Sequence, residues 1–197
     1  LAMKTLIKIL FLNIFSILIA NNSYLDKINE RHGFVIGFGG GLHNGTCEGK
    51  QGISSSMSFN YSGISTDYKI GYAPFNNCEL YFSSKASYFK NNNTNLITTL
   101  NGFGLTIFLN IWDPSLYVGF IFGKSDYRRR DKTFSYDSGE GYSYNIGYEY
   151  SPNIRLQLNF VTGYELISNF FNPAVRLKTS EINLTVNYNI HLKKLIK

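Results

Sequence analysis

The chain is poor in proline, methionine, tryptophan and cysteine, with 4, 2, 1 and 2 of them in 197 residues. Four prolines exclude collagen-like and proline-rich classes. Charge is also scarce: 13 acidic residues stand against 19 basic ones, while 16% of the chain is aromatic. A disordered chain has the opposite balance, so disorder is excluded for the bulk of it. Past residue 20 no apolar run is long enough for a spanning helix, which excludes a helical membrane protein. The excess of +6 is small and scattered, and it does not point to nucleic acid. What is abundant is Phe (16), Tyr (15) and Gly (18), together with Ser and Asn, the composition of strands joined by turns. The length suits one domain.

The first twenty residues have their own character. Lys4 and Lys8 precede or flank an apolar stretch from Ile9 to Ala20 that only Asn13 and Ser16 interrupt. A positive start, a short apolar run and a small residue at its end describe a cleaved secretory signal peptide over 1–20. The expected organisation is then a segment 21–32 in the periplasm, a barrel over 33–192 and a basic tail over 193–197.

The clearest periodicity lies near the C-terminus. Ile182, Leu184, Val186, Tyr188, Ile190 and Leu192 alternate with Glu181, Asn183, Thr185, Asn187, Asn189 and His191. A period of two over that length is a strand with one apolar and one polar face. The same rule, applied upstream, predicts eight strands at about 33–43, 63–74, 78–90, 96–110, 115–128, 139–151, 154–168 and 176–192, with ends uncertain by about 2–4 residues.

Tight connections at Pro74–Asn77, Trp112–Pro114 and Ser151–Asn153 alternate with longer polar segments at 44–62, 91–95, 129–138 and 169–175. Short turns at one end and long loops at the other describe an all-β, eight-stranded antiparallel up-and-down barrel of the Gram-negative outer membrane. Tyr61, Lys90, Arg129 and Phe171 are then expected outside the cell, with Asn76 and Asn153 in the periplasm. An eight-stranded barrel has room inside for side chains and little else. Five large apolar residues per strand would overfill it, so the apolar face is expected to meet lipid. Tyr72, Trp112, Tyr117 and Tyr150 at the turn end, and Tyr88, Tyr127, Tyr142 and Phe170 at the loop end, are expected in the two interfacial girdles. The same parity sends Asp67, Lys69, Lys85, Glu149, Arg155, Glu165 and Glu181 into the lumen. Buried charges persist only when paired, so they are read as an ion-pair network filling the interior.

With Gly37–Phe38–Gly39–Gly40–Gly41, Ile70–Gly71–Tyr72 before a tight turn, and the alternating last strand, residues 33–192 resemble the small eight-stranded outer-membrane β-barrels, the OmpA-, OmpX- and opacity-protein-like group within the porin family. The resemblance implies a monomeric barrel of structural or surface-interaction type. The chain departs from that group at its end, where Lys193–Lys194–Leu195–Ile196–Lys197 follows the last strand instead of a terminal aromatic.

Chemistry is sparse. Ile167–Ser168–Asn169 resembles the segment of outer-membrane lipid A deacylases that carries His-x-Ser-Asn, but Leu166 occupies the histidine's position. Without an imidazole to take its proton Ser168 is not activated, unless His43 substitutes with Glu165 or Glu181 orienting it. The leading expectation is no catalysis; a lipid A acyl-chain hydrolase and a narrow solute channel are the alternatives. His32, His43 and His191 lack metal-ligand spacing, and the glycine run precedes no phosphate-binding helix, so no metal or cofactor is expected. Cys47 and Cys78 fall at opposite ends of a band about 25 Å tall, too far apart for a disulfide. Arg128, Arg129, Arg130 and Lys132 gather in the third outer loop beside Tyr127, Phe134 and Tyr136. Guanidinium groups match phosphate oxygens, so this run is the expected contact for lipopolysaccharide or another anionic partner.

Overall fold

Alternation without helix-forming stretches leaves the backbone one way to satisfy its hydrogen bonds, a sheet that closes on itself. The computed structural model describes residues 31–51, 55–91, 94–110, 115–129, 139–151, 153–169 and 172–192. They form eight strands: β1 (Gly33–Gln51), β2 (Ser55–Phe75), β3 (Cys78–Asn91), β4 (Thr94–Phe108), β5 (Ser115–Arg129), β6 (Gly139–Ser151), β7 (Ile154–Asn169) and β8 (Asn172–Leu192). Each pairs antiparallel with the next, and β1 pairs with β8 to close the barrel, with Phe34 opposite Leu192. The expected signal segment 1–20, all but the end of 21–32 and the tail 193–197 lie outside the described residues.

The eight strands are those predicted, but the long-loop expectation is corrected. Most of 44–62, 91–95 and 169–175 is strand: β1 runs to Gln51, β2 starts at Ser55 and β8 at Asn172. Residues 130–138, the rest of the third expected loop, lie outside the described residues. Along β1 the outward residues change from Phe34, Ile36, Phe38 and Leu42 to Asn44, Thr46 and Glu48 without a break in pairing. Loss of apolar residues at 44 marks where the strand leaves an apolar surround, and not where the strand ends.

The barrel therefore has two halves with opposite faces. In the half nearer the chain termini the exterior is apolar, with Leu42 68% and Phe103 77% exposed, and the interior is polar. At the far end the exterior is polar, and the interior holds the apolar cluster Cys47, Tyr61, Phe89, Leu96, Tyr127 and Leu177. Tyr61 and Phe89 stack there with ring centroids 3.9 Å apart. The first half suits an apolar solvent outside, the second suits water outside.

Two girdle assignments are corrected by this arrangement. Tyr117 and Tyr127 are buried in the interior, because each falls on the inward register of β5 opposite to Leu116, Val118 and Phe122. Tyr61 likewise points inward and is buried, so it is not a residue exposed to the exterior. Tyr72, Tyr88 and Tyr150 do face outward, while Trp112, Phe170 and Phe171 lie outside the described residues. The inward face of β1 is mostly glycine. A Cβ at Gly37 would collide with Asn189 and Lys69, so β1 thins the wall where these side chains enter the lumen.

Candidate functional site

The chain enters the barrel through its base. Gly33 has φ 109°, in the left-handed region that favours glycine, and the bend there carries Arg31 back beneath the strands. Arg31 is 1% exposed; its guanidinium pairs with Glu149 and donates to the carbonyls of Asn76 at 3.0 Å and Asn110 at 3.3 Å. Arg155, on the inward register of β7, reaches across to Glu79 on β3 with a two-pronged pair, Nη1–Oε2 2.8 Å and Nη2–Oε1 2.6 Å, and also pairs with Glu149 on β6. Lys69 on β2 donates to Glu79 Oε2 at 2.8 Å. Both guanidiniums lie over the Phe108 ring, 4.4 Å from its centroid for Arg31 and 4.8 Å for Arg155. Such forked, charge-assisted bonds have fixed geometry, and the ring face adds a cation–π attraction to each guanidinium.

Above this base a second polar layer crosses the lumen. Lys85 pairs with Asp67 and donates to Asn159 Oδ1 at 3.1 Å. Ser83 donates to Asp67, and Tyr117 donates to Gln157 at 3.0 Å. Higher still, Glu181 accepts hydrogen bonds from Tyr61 at 2.8 Å, Ser87 at 2.6 Å and Thr98. Tyr61, Tyr127 and Phe89 then cap the interior. Inside the lumen, the voids beside Arg155 and beside Ser87, Thr98 and Glu181 are each about 10 Å³, room for a single water, while Glu181 also lines an open concavity of about 510 Å³ with Gly45, Asn60 and Val161.

Of the residues assigned to the lumen from parity, Asp67, Lys69, Lys85, Glu149, Arg155 and Glu181 all point inward; Glu165 is in β7, and its side chain is not described. Two members of the base were missed. Glu79 shares the inward register of Tyr81, Ser83 and Lys85, and extending the period of two by one step would have found it. Arg31 was assigned to a segment outside the barrel, and no strand periodicity reaches it.

The hydrolase alternative is corrected on one point: His43 does not lie near Ser168. Leu166 pairs with Arg176, and Arg176 with Lys50, seven residues along β1 from His43 and so about 23 Å away at ~3.3 Å per residue. His43 is buried instead against the Tyr88 carbonyl, with Nε2 3.1 Å from it. Ser168 sits in β7 at an irregularity of register. Cys47 is also corrected from a loop to the inward face of β1; it and Cys78 are both buried, and no disulfide joins them. Of the basic run, Arg128 is exposed near the end of β5 and pairs with Asp126 at 2.8 Å, Arg129 ends that strand, and Arg130 and Lys132 lie outside the described residues. Among the described residues no group of His, Cys, Asp and Glu could hold a metal ion.

No family model matches the chain, and no curated protein matches it. Solved structures do. The solid-state NMR structure of outer membrane protein AlkL in lipid bilayers is similar over 89% of this chain and 99% of its own, with TM-score 0.52 and 11% identity. The crystal structure of Neisserial surface protein A is similar over 79% of this chain and 96% of its own, with TM-score 0.50 and 14% identity. The fold is that of the small eight-stranded outer-membrane β-barrels, the group the glycine run and the last strand resemble.

Proposed function

We propose that this chain is an integral outer-membrane barrel of structural or surface-interaction type, without catalytic activity, whose lumen is closed by an ion-pair network and whose outer end carries its contacts. One observation supports this above the others: the interior is obstructed at three successive levels, by the base charges, by the Lys85–Asp67 layer and by the aromatic cap. A side-chain-filled lumen is what eight strands allow, and it leaves the exterior and the outer rim as the surfaces that can act. The outward apolar runs Phe34–Leu42 of β1 and Ile182–Leu192 of β8 rise about 20–25 Å at ~3.3 Å per residue and a tilt near ~40°, which matches the apolar band of such proteins.

At the outer rim, Arg128, Arg129, Arg130 and Lys132 are the proposed contact for lipopolysaccharide phosphates or another anionic partner, since planar guanidiniums grip phosphate in two-pronged fashion. The exposed setting of Arg128 supports that role. The test replaces Arg128, Arg129 and Arg130 with Gln and measures lipopolysaccharide binding at low and high salt. Weaker binding with a shallower salt dependence is expected; unchanged affinity and salt dependence would refute the contact. In planar bilayers the wild-type barrel is expected to conduct no ions, and a steady conductance would refute the closed lumen.

A further inference from the structure

Four carboxylates and four cations point into the described interior, but they are unevenly spread. The base holds three cations, Arg31, Lys69 and Arg155, against two carboxylates, Glu79 and Glu149. Lys85 and Asp67 balance one another in the middle. Glu181, only 5% exposed, is left at the outer end with no cation in ion-pair reach among the described residues. Its three hydrogen bonds all come from neutral hydroxyls, those of Tyr61, Ser87 and Thr98.

A buried carboxylate without a counter-charge is expensive, and hydroxyl donors offset only part of that cost. The surroundings of Glu181 supply more oxygen. Its carboxylate borders a cavity of about 10 Å³ that Thr179 and Asn183 also line. Asn183 is 2% exposed and its Oδ1 has no hydrogen-bond partner. Lys85 borders the cavity too, but its ammonium is engaged by Asp67 and Asn159. One inward step further out, Phe89, Leu96, Tyr127 and Leu177 stand over Ser87, Thr98, Ser125 and Thr179 as an apolar cap on the lumen side, and on the side of Gly45 Glu181 borders an open concavity of about 510 Å³.

We propose that the cavity between Glu181 and Asn183 is a binding site for a monovalent hard cation of sodium's size. Apart from the Lys85 ammonium, which Asp67 and Asn159 hold, and the apolar Leu100 and Val161, the lining side chains offer carboxylate, hydroxyl and amide oxygens, a set that selects hard ions. A single formal negative charge neutralises one positive charge, whereas a divalent ion would leave an excess beside a buried carboxylate. The void holds one water-sized particle, which suits a small dehydrated ion. Bound there, the cation neutralises the outer half of the lumen, independently of what the rim arginines contact.

The test uses the protein refolded into phosphatidylcholine vesicles and reads its thermal midpoint by the heat-dependent gel shift. Sodium chloride is compared with N-methylglucamine chloride at equal ionic strength. Sodium is expected to raise the wild-type midpoint saturably, by about 4 °C at tenfold over its dissociation constant. Glu181→Gln is expected to lose that dependence and to sit higher than wild type in N-methylglucamine. Asn183→Ala keeps the carboxylate and is expected to need at least about tenfold more sodium for the same shift, the cost of one lost oxygen contact. Equal wild-type midpoints in the two salts would overturn the site. Full sodium dependence in either variant would overturn it as well.

Discussion

Glu79→Gln tests the base of the barrel most directly. Glu79 is fully buried and accepts from Arg155 at 2.8 and 2.6 Å and from Lys69 at 2.8 Å, with His191 Nε2 3.8 Å away. The change keeps the shape but turns three cations facing two carboxylates into three facing one, and the new amide points donors at donors. Leaving buried charge uncompensated costs about 3–5 kcal/mol. Arg155→Met is expected to cost less, about 1–3 kcal/mol, despite losing the longer side chain. It leaves Arg31 with Glu149 and Lys69 with Glu79, two balanced pairs, and keeps an apolar group on Phe108. The double variant should cost about 1–3 kcal/mol less than the sum of the two, because its second change removes a charge the first left unpaired. Urea unfolding and refolding in lipid vesicles, followed by Trp112 fluorescence and gel mobility, gives all three values where the two arms coincide. If Glu79→Gln is no more costly than Arg155→Met, or the double variant is additive, charge balance does not govern the base.

Other outcomes follow from burial and register. Arg31→Ala should cost about 1–3 kcal/mol, since Glu149 keeps Arg155 as a partner; a loss as large as that of Glu79→Gln would mean Arg31 carries the base. In intact cells, a cysteine at exposed Lys90 should react with an impermeant maleimide, one at Asn153 only after the outer membrane is permeabilised, and one at inward-facing Tyr61 only after unfolding; labelling at Asn153 alone would invert the barrel. Cys47 and Cys78 should show no internal disulfide on a non-reducing gel and should resist thiol reagents until the barrel unfolds, and a mobility change on reduction would contradict their placement.

Strand number, order and facing were legible in the residues themselves, because lipid outside and a narrow lumen inside impose a period of two that short-range sequence reports. Ile182 to Leu192 carries it unbroken, and Asp67, Lys85, Glu149 and Arg155 were placed by parity alone. Strand length was not legible at the outer end. There the exterior becomes polar while the interior becomes apolar, and Asn44, Thr46 and Glu48 look like loop residues when only the outward face is followed. Cys47, Tyr61 and Phe89 held the missing signal on the opposite parity.

The partners of those side chains were decided only by closure of the barrel. Arg155 and Glu79 lie 76 residues apart, and Glu181 and Tyr61 lie 120 apart. No local pattern reports such pairs. Arg31 precedes the first strand and joins the base through a glycine bend that no periodicity announces. Period and composition determined that a barrel forms and which face is wet; the shear of eight closed strands determined which charges meet, and that Glu181 meets no cation among the described residues.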